Sequence, residues 1–381
     1  MTTAPVWITA DQVFDGQDLR RDVALRLEGG RVAALVPVAE APPAGLRRVA
    51  GTLTPGFVDL QVNGGGDVLL NHLQTPAGLA TMAAAHRRFG TVAILPTLIT
   101  DAPDVLERAA DAVIAATGMA GLLGLHVEGP HISIPRRGTH AAQLVRPLDA
   151  PTLAVLRRLR AADVPVMITL APEAVVPGQI AQIVAMGVTV SLGHTDATAE
   201  AVRAALAEGA TCFTHLFNAM SPMLNRAPGV TGAAINSTAH CGIICDGIHV
   251  ADEMVGLAIR ARPEADRMYL VSDAMPTVGG SDHFTLYGQD IRLVDGRLVN
   301  AEGSLAGAHV TMAQSVKRLV DVVGSDLTTA LRMAVSTPAR VIGAPALGQM
   351  RGRVAGDVLL LDPALRVVGD LATLTQAAAA H

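Results

Sequence analysis

Gly124-Leu125-His126-Val127-Glu128 is an apolar run that stops on a carboxylate. Three later runs end in the same manner: Val190-Ser191-Leu192-Gly193-His194, Cys212-Phe213-Thr214-His215 and Tyr269-Leu270-Val271-Ser272-Asp273. Parallel barrel strands are buried on both faces and read as near-continuous Val/Ile/Leu-rich runs, and their C-terminal ends converge on one rim where chemistry sits. One Glu, two His and one Asp at such ends point to a hydrolytic metal site with its own base. Taken singly, Glu128 reads equally well as a carboxylate satisfied inside a core, and His194 or His215 as a packed imidazole. The four together favour a site.

Working outward, strand-like runs fall near residues 53–62, 91–98, 122–128, 164–170, 188–194, 210–215, 242–246 and 268–273. Helical patterns separate several of them, at 76–89, 103–116, 151–159, 198–208 and 252–261, some opening on Pro or an Asp/Thr cap. The alternation predicts an α/β fold, a (β/α)8 TIM-like barrel over residues 53–345. Residues 1–52 and 346–381 carry strand and turn chemistry, including two alternating runs around Gly29-Gly30, and predict a small discontinuous β domain. A third hairpin-like stretch at 283–300 is inserted after the last barrel strand. Turn residues at 221–229, Ser-Pro-Met-Leu-Asn-Arg-Ala-Pro-Gly, stand where a sixth helix is expected and suggest a functional loop.

Composition narrows the function. The 381 residues are 50% hydrophobic and 17% charged, enough to bury a large core. A net charge of -5 and a pI near 6.2 leave no basic surplus for nucleic acid or an anionic membrane. No apolar run is long enough to span a bilayer and the first residues carry no cationic leader, so a cytoplasmic location is expected. Cys212, Cys241 and Cys245 form no Cys-x-x-Cys pair and read as small buried hydrophobes. Lys317, the only lysine, lies in a helix-like stretch, which argues against a Schiff-base barrel lyase.

Pro55-Gly56-Phe57-Val58-Asp59-Leu60-Gln61-Val62-Asn63-Gly64, His126-Val127-Glu128-Gly129-Pro130, Gly193-His194-Thr195, Thr214-His215-Leu216-Phe217-Asn218-Ala219-Met220, Asp246-Gly247-Ile248-His249, Ser272-Asp273-Ala274 and Gly303-Ser304-Leu305-Ala306-Gly307 run in order along the chain. Together they resemble the N-acetylglucosamine-6-phosphate deacetylase family of the amidohydrolase superfamily. The resemblance implies a small β-sandwich domain built from both chain ends, and hydrolysis of a sugar-phosphate acetamide to acetate and the free amine. It implies Glu128, His194 and His215 as metal ligands and Asp273 as the catalytic acid/base. It further implies substrate contacts from His140, Asn218, Ala219, His249 and Leu305, with Arg226 reaching the phosphate in a neighbouring subunit of a homodimer.

Many amidohydrolases carry His-x-His on the first strand and a lysine on the fourth, holding a second metal. Here the first position reads Gln61-Val62-Asn63 and residues 164–170 lack lysine. Neutral amides are poor ligands for transition metals, so one divalent cation per subunit is expected, zinc first, with iron, cobalt or manganese also suited. His126, two residues before Glu128, is expected to pack behind the ligands. Two other readings stay open: deacetylation of a related N-acyl amino-sugar phosphate, and a non-catalytic sugar-phosphate sensor.

Overall fold

The computed structural model describes residues 5–303 and 305–376; Ser304 of the Gly303–Gly307 turn and the terminal residues 1–4 and 377–381 lie outside the described residues. Among the described residues, eight parallel strands pair in sequence order: β1 (Phe57–Val62), β2 (Thr91–Ile99), β3 (Leu125–Glu128), β4 (Val166–Leu170), β5 (Thr189–Leu192), β6 (Cys212–Phe213), β7 (His240–Ile243) and β8 (Met268–Leu270). The ring closes past the end of β8, where Asp273 N donates to Gln61 O at 3.0 Å and Asn63 N to Ala274 O at 2.9 Å. This is the expected (β/α)8 barrel.

The helices form where the sequence caps them. Thr75 accepts from Gly78 N ahead of α1 (Pro76–Arg87), Asp149 from Thr152 N ahead of the helix Ala150–Ala161, and Thr198 from Ala201 N ahead of Ala199–Ala207. Such caps satisfy backbone N–H groups that the first turn cannot pair, typically worth about 1 kcal/mol each. After Phe217, residues 221–228 are irregular and only a short helix, Gly229–Ile235, follows.

One boundary differs from expectation. The run at 53–62 is two strands: Leu46–Pro55 joins the small sheet, and the barrel begins at Phe57. Gly56 makes the break, because a Cβ there would sit 2.2 Å from Val92 Cγ1, and its N–H is drawn to Asp357 O at 2.8 Å.

The chain ends meet as expected. Val6–Phe14, Leu19–Arg20, Val23–Glu28, Arg31–Pro37 and Leu46–Pro55 share one hydrogen-bonded sheet with Val358–Leu361 and Val367–Asp370. Its apolar face, including Ile8, Leu25, Val32, Leu53 and Val358, forms a core of its own. The insertion after β8 is a three-stranded antiparallel sheet, His283–Leu286, Gln289–Val294 and Arg297–Val299. Its buried Leu286, Ile291 and Leu298 pack on Ile99 and Met275 at the barrel mouth.

Candidate active site

Glu128, His194, His215 and Asp273 all sit at or just beyond C-terminal strand ends, as the sequence pattern requires. Three of them turn the chain sharply. His194, His215 and Asp273 have φ of +48°, +29° and +52°, and Ala219 has +51°. Non-glycine residues occupy this region at a cost of about 1–3 kcal/mol each, and such strain gathers at functional sites. Here it aims the side chains into the mouth.

The donor atoms converge. Glu128 Oε1 lies 3.2 Å from His194 Nε2 and 3.1 Å from His215 Nε2, and the two Nε2 atoms are 3.1 Å apart. Tetrahedral bonds of the 2.0–2.1 Å usual for N and O donors on zinc place donors about 3.3 Å apart. All three residues are buried. Their spacing and chemistry therefore fit one divalent cation, consistent with a metal-dependent family. His194 Nδ1 faces Arg136 O at 2.9 Å, which puts the proton on Nδ1 and frees the Nε2 lone pair. His215 Nδ1 finds no hydrogen-bond partner among the described residues.

Electrostatics follow from the cluster. Burial pushes the Glu128 carboxyl up, but hydrogen bonds and charge from His194 and His215 outweigh it and hold the group well below the usual range. Burial opposes protonation of His215, yet Glu128 and Asp273 raise it above its ordinary value. Asp273 is raised by burial and by the Glu128 carboxylate. A bound dication would become the largest local charge and reverse the pull on both Asp273 and His215.

Gln61 and Asn63 were read in the sequence as poor metal ligands, and their positive role emerges only here. Gln61 Nε2 donates to Glu128 Oε1 at 3.1 Å and to Asp273 Oδ1 at 3.1 Å, while Asn63 Nδ2 donates to Asp273 Oδ1 at 2.7 Å. The i, i+2 spacing on a strand, which puts both on one face, was the available signal. His126 behaves as expected: it is buried two residues before Glu128, with Nδ1 on Leu60 O and Nε2 on Thr169 Oγ1.

Of the ten residues singled out in the sequence, nine line one cavity of about 180 Å3: Glu128, His140, His194, His215, Asn218, Ala219, His249, Asp273 and Leu305. Arg226 is the exception. It lies exposed in the 221–228 loop and makes no hydrogen bond or ion pair within the described chain. His140 is fixed through Nδ1 to Thr100 Oγ1 at 2.7 Å, and burial together with His194 holds it well below its ordinary pKa, so it is neutral. His249 is held by Asp246, whose Oδ2 is 2.6 Å from Nδ1 and whose Oδ1 accepts from Ile248 N and His249 N. Ile99, Ile244 and Met275 supply apolar walls. A larger cavity of about 370 Å3, around Asp15, Arg340 and Arg351, contains none of this chemistry.

The other histidines behave mostly as packing groups. His86 and His131 are buried on backbone and hydroxyl partners, and His309 pairs with Thr277 Oγ1 at 2.8 Å. The three cysteines are buried and free. Among the described residues no helix is long and apolar enough to cross a membrane.

Residues 52–377 match the amidohydrolase family. An N-acetylgalactosamine-6-phosphate deacetylase of Shewanella sp. (strain ANA-3) is 41% identical over 84% of this chain and 82% of its own length. An N-acetylglucosamine-6-phosphate deacetylase of Haemophilus influenzae is 33% identical over 94% of this chain and 95% of its own. The crystal structure of N-acetylglucosamine-6-phosphate deacetylase from Pasteurella multocida superposes with a TM-score of 0.89 at 32% identity, covering 96% of this chain and 98% of that one.

Proposed function

The chain belongs to the amidohydrolase family, and on that premise we propose that it hydrolyses the acetamide of N-acetyl-D-glucosamine 6-phosphate to acetate and D-glucosamine 6-phosphate, within amino-sugar catabolism. The observation that carries this reading is the convergence of Glu128, His194 and His215 beside a buried Asp273 in one cavity, in a chain related to deacetylases of this class.

Glu128, His194 and His215 would hold one divalent cation per subunit, zinc by preference, with iron, cobalt or manganese compatible with the same donors. Such a cation acidifies water and polarises a carbonyl. Asp273, fixed through Oδ1 by Asn63 and Gln61, takes the proton from the attacking water and delivers it to the departing nitrogen. Neutral His140 donates to the acetyl oxygen, and the apolar walls shelter the methyl group. Asn218, Ala219, His249 and Leu305 contact sugar and phosphate. Arg226 serves the phosphate of a neighbouring subunit in a homodimer, which accounts for an exposed guanidinium with no partner among the described residues. A cytoplasmic setting suits a phosphorylated substrate.

The Shewanella relative supports a second reading, in which the preferred sugar is the galactosamine epimer. Acetate release from both N-acetylhexosamine 6-phosphates and from unphosphorylated N-acetylglucosamine tests both. The first reading expects the highest kcat/KM on the glucosamine phosphate and a loss of several decades without phosphate. A preference for the epimer replaces the substrate assignment, and no acetate from either phosphate overturns the hydrolase reading.

A further inference from the structure

A chain of hydrogen bonds crosses the barrel interior directly beneath the converging donors. Ser191 Oγ is 2.7 Å from Thr214 Oγ1, Thr214 Oγ1 is 2.6 Å from Thr169 Oγ1, and Thr169 Oγ1 is 2.7 Å from His126 Nε2. His126 Nδ1 then meets Leu60 O at 3.1 Å. Five strands are joined: β5, β6, β4, β3 and β1. All four side chains are buried, in a layer that branched apolar residues usually fill in such barrels.

The bonds can run in a single sense. A carbonyl only accepts, so His126 Nδ1 carries hydrogen toward Leu60 O. In a neutral imidazole with its hydrogen on Nδ1, Nε2 is the acceptor and takes the Thr169 hydroxyl hydrogen. The Thr169 oxygen then accepts from Thr214, and Thr214 from Ser191. Chains with one sense polarise cooperatively.

This chain touches each strand that carries a donor. His126 lies two residues before Glu128, Thr169 is the cross-strand partner of Glu128, Thr214 immediately precedes His215, and Ser191 lies three residues before His194. Gly193 permits the close approach: a Cβ there would meet Thr214 Cβ at 2.8 Å and Thr169 Cγ2 at 2.9 Å. We propose that Ser191, Thr214, Thr169 and His126 are positioning residues that lock β3, β4, β5 and β6 in register, so that Glu128, His194 and His215 are preassembled for the cation and bind it more tightly. The inference rests on the metal-centre reading above.

The test is the zinc dissociation constant of purified, metal-stripped protein, read by competition with a chromophoric chelator, alongside the thermal midpoint of the stripped protein. Thr169→Val keeps shape and removes the hydroxyl; Thr169→Ser keeps the hydroxyl. Loss of groups that orient metal ligands typically costs 10–100-fold in affinity, so Thr169→Val is expected to bind zinc about 10-fold or more weakly, with Thr169→Ser within about threefold of wild type. Ser191→Ala, which removes only the head of the chain, guards against a misfolded valine variant and is expected to weaken zinc by about threefold or more. Zinc affinity within about threefold of wild type for Thr169→Val, or equal loss for Thr169→Ser, overturns the inference while leaving the metal centre standing. Failure of the wild-type chain to take up zinc, iron, cobalt or manganese overturns both.

Discussion

Asn63 Nδ2 stands 2.7 Å from Asp273 Oδ1, the shortest of the polar contacts on that carboxylate. Gln61 Nε2 reaches the same oxygen at 3.1 Å. With Oδ1 held by two amide donors, Oδ2 takes no side-chain hydrogen bond among the described residues. The pair of amides that stands in place of His-x-His on β1 thus orients the carboxylate proposed as the base.

Removing the base while keeping its shape isolates the proton transfer. Asp273→Asn is expected to lower kcat by two or more decades and to leave sugar-phosphate binding within a few-fold. Steady-state kinetics with calorimetric binding of the substrate checks it, and near-normal turnover contradicts the assigned role.

Removing the donor has a milder effect. Asn63→Ala leaves Glu128, His194 and His215 in place but leaves Asp273 with only the Gln61 side-chain donor, so kcat is expected to fall about 10-fold with metal content unchanged. Metal analysis beside kinetics separates this from loss of the cation.

Metal binding should release a proton. His215 is raised above 6.5 by Glu128 and Asp273 although burial opposes it, and only the neutral ring can bind a cation. In the metal-free protein, the stability from this raised pKa is complete below 6.5 and is lost as pH rises through the folded pKa. Metal affinity runs the other way, rising over the same window. Zinc titrations at pH 7 in two buffers of different ionisation enthalpy should give different heats, and identical heats would exclude the proton release.

Asp59 carries a pH-dependent penalty. Burial raises its carboxyl from 3.8 to about 7, although Oδ1 accepts from Gln61 N and Ser272 N, and Oδ2 has no partner among the described residues. The folded chain therefore binds the proton more tightly than the unfolded one, so stability falls as pH rises from about 4 to about 7, by roughly 4 kcal/mol at most. Asp59→Asn is expected to flatten that decline. Denaturant midpoints at pH 5 and pH 8 measure it, and an equal fall in both proteins refutes the assignment.

The barrel was legible because burial on both faces writes itself into sequence as apolar runs, and because caps such as Thr75, Asp149 and Thr198 mark where helices start. The break at Gly56 was hidden, since both flanking strands are equally apolar and the chain changes sheets without a polar loop. The helix Gln179–Ala185 was missed for a related reason: it is seven residues long and opens on Gly178, without a side-chain cap.

Residue type and strand-end position singled out Glu128, His194, His215 and Asp273 as candidates, because few side chains bind metals or move protons and a barrel gathers its strand ends on one rim. The sequence could not say that Gln61 and Asn63 aim at Asp273, that Asp246 holds His249, or that Ser191, Thr214, Thr169 and His126 join into one directed chain. Apart from Asp246 and His249, which are three residues apart, those contacts link residues 23 to 212 positions apart, and hydrogen bonds depend on angstrom-scale distances and angles that only the folded barrel sets.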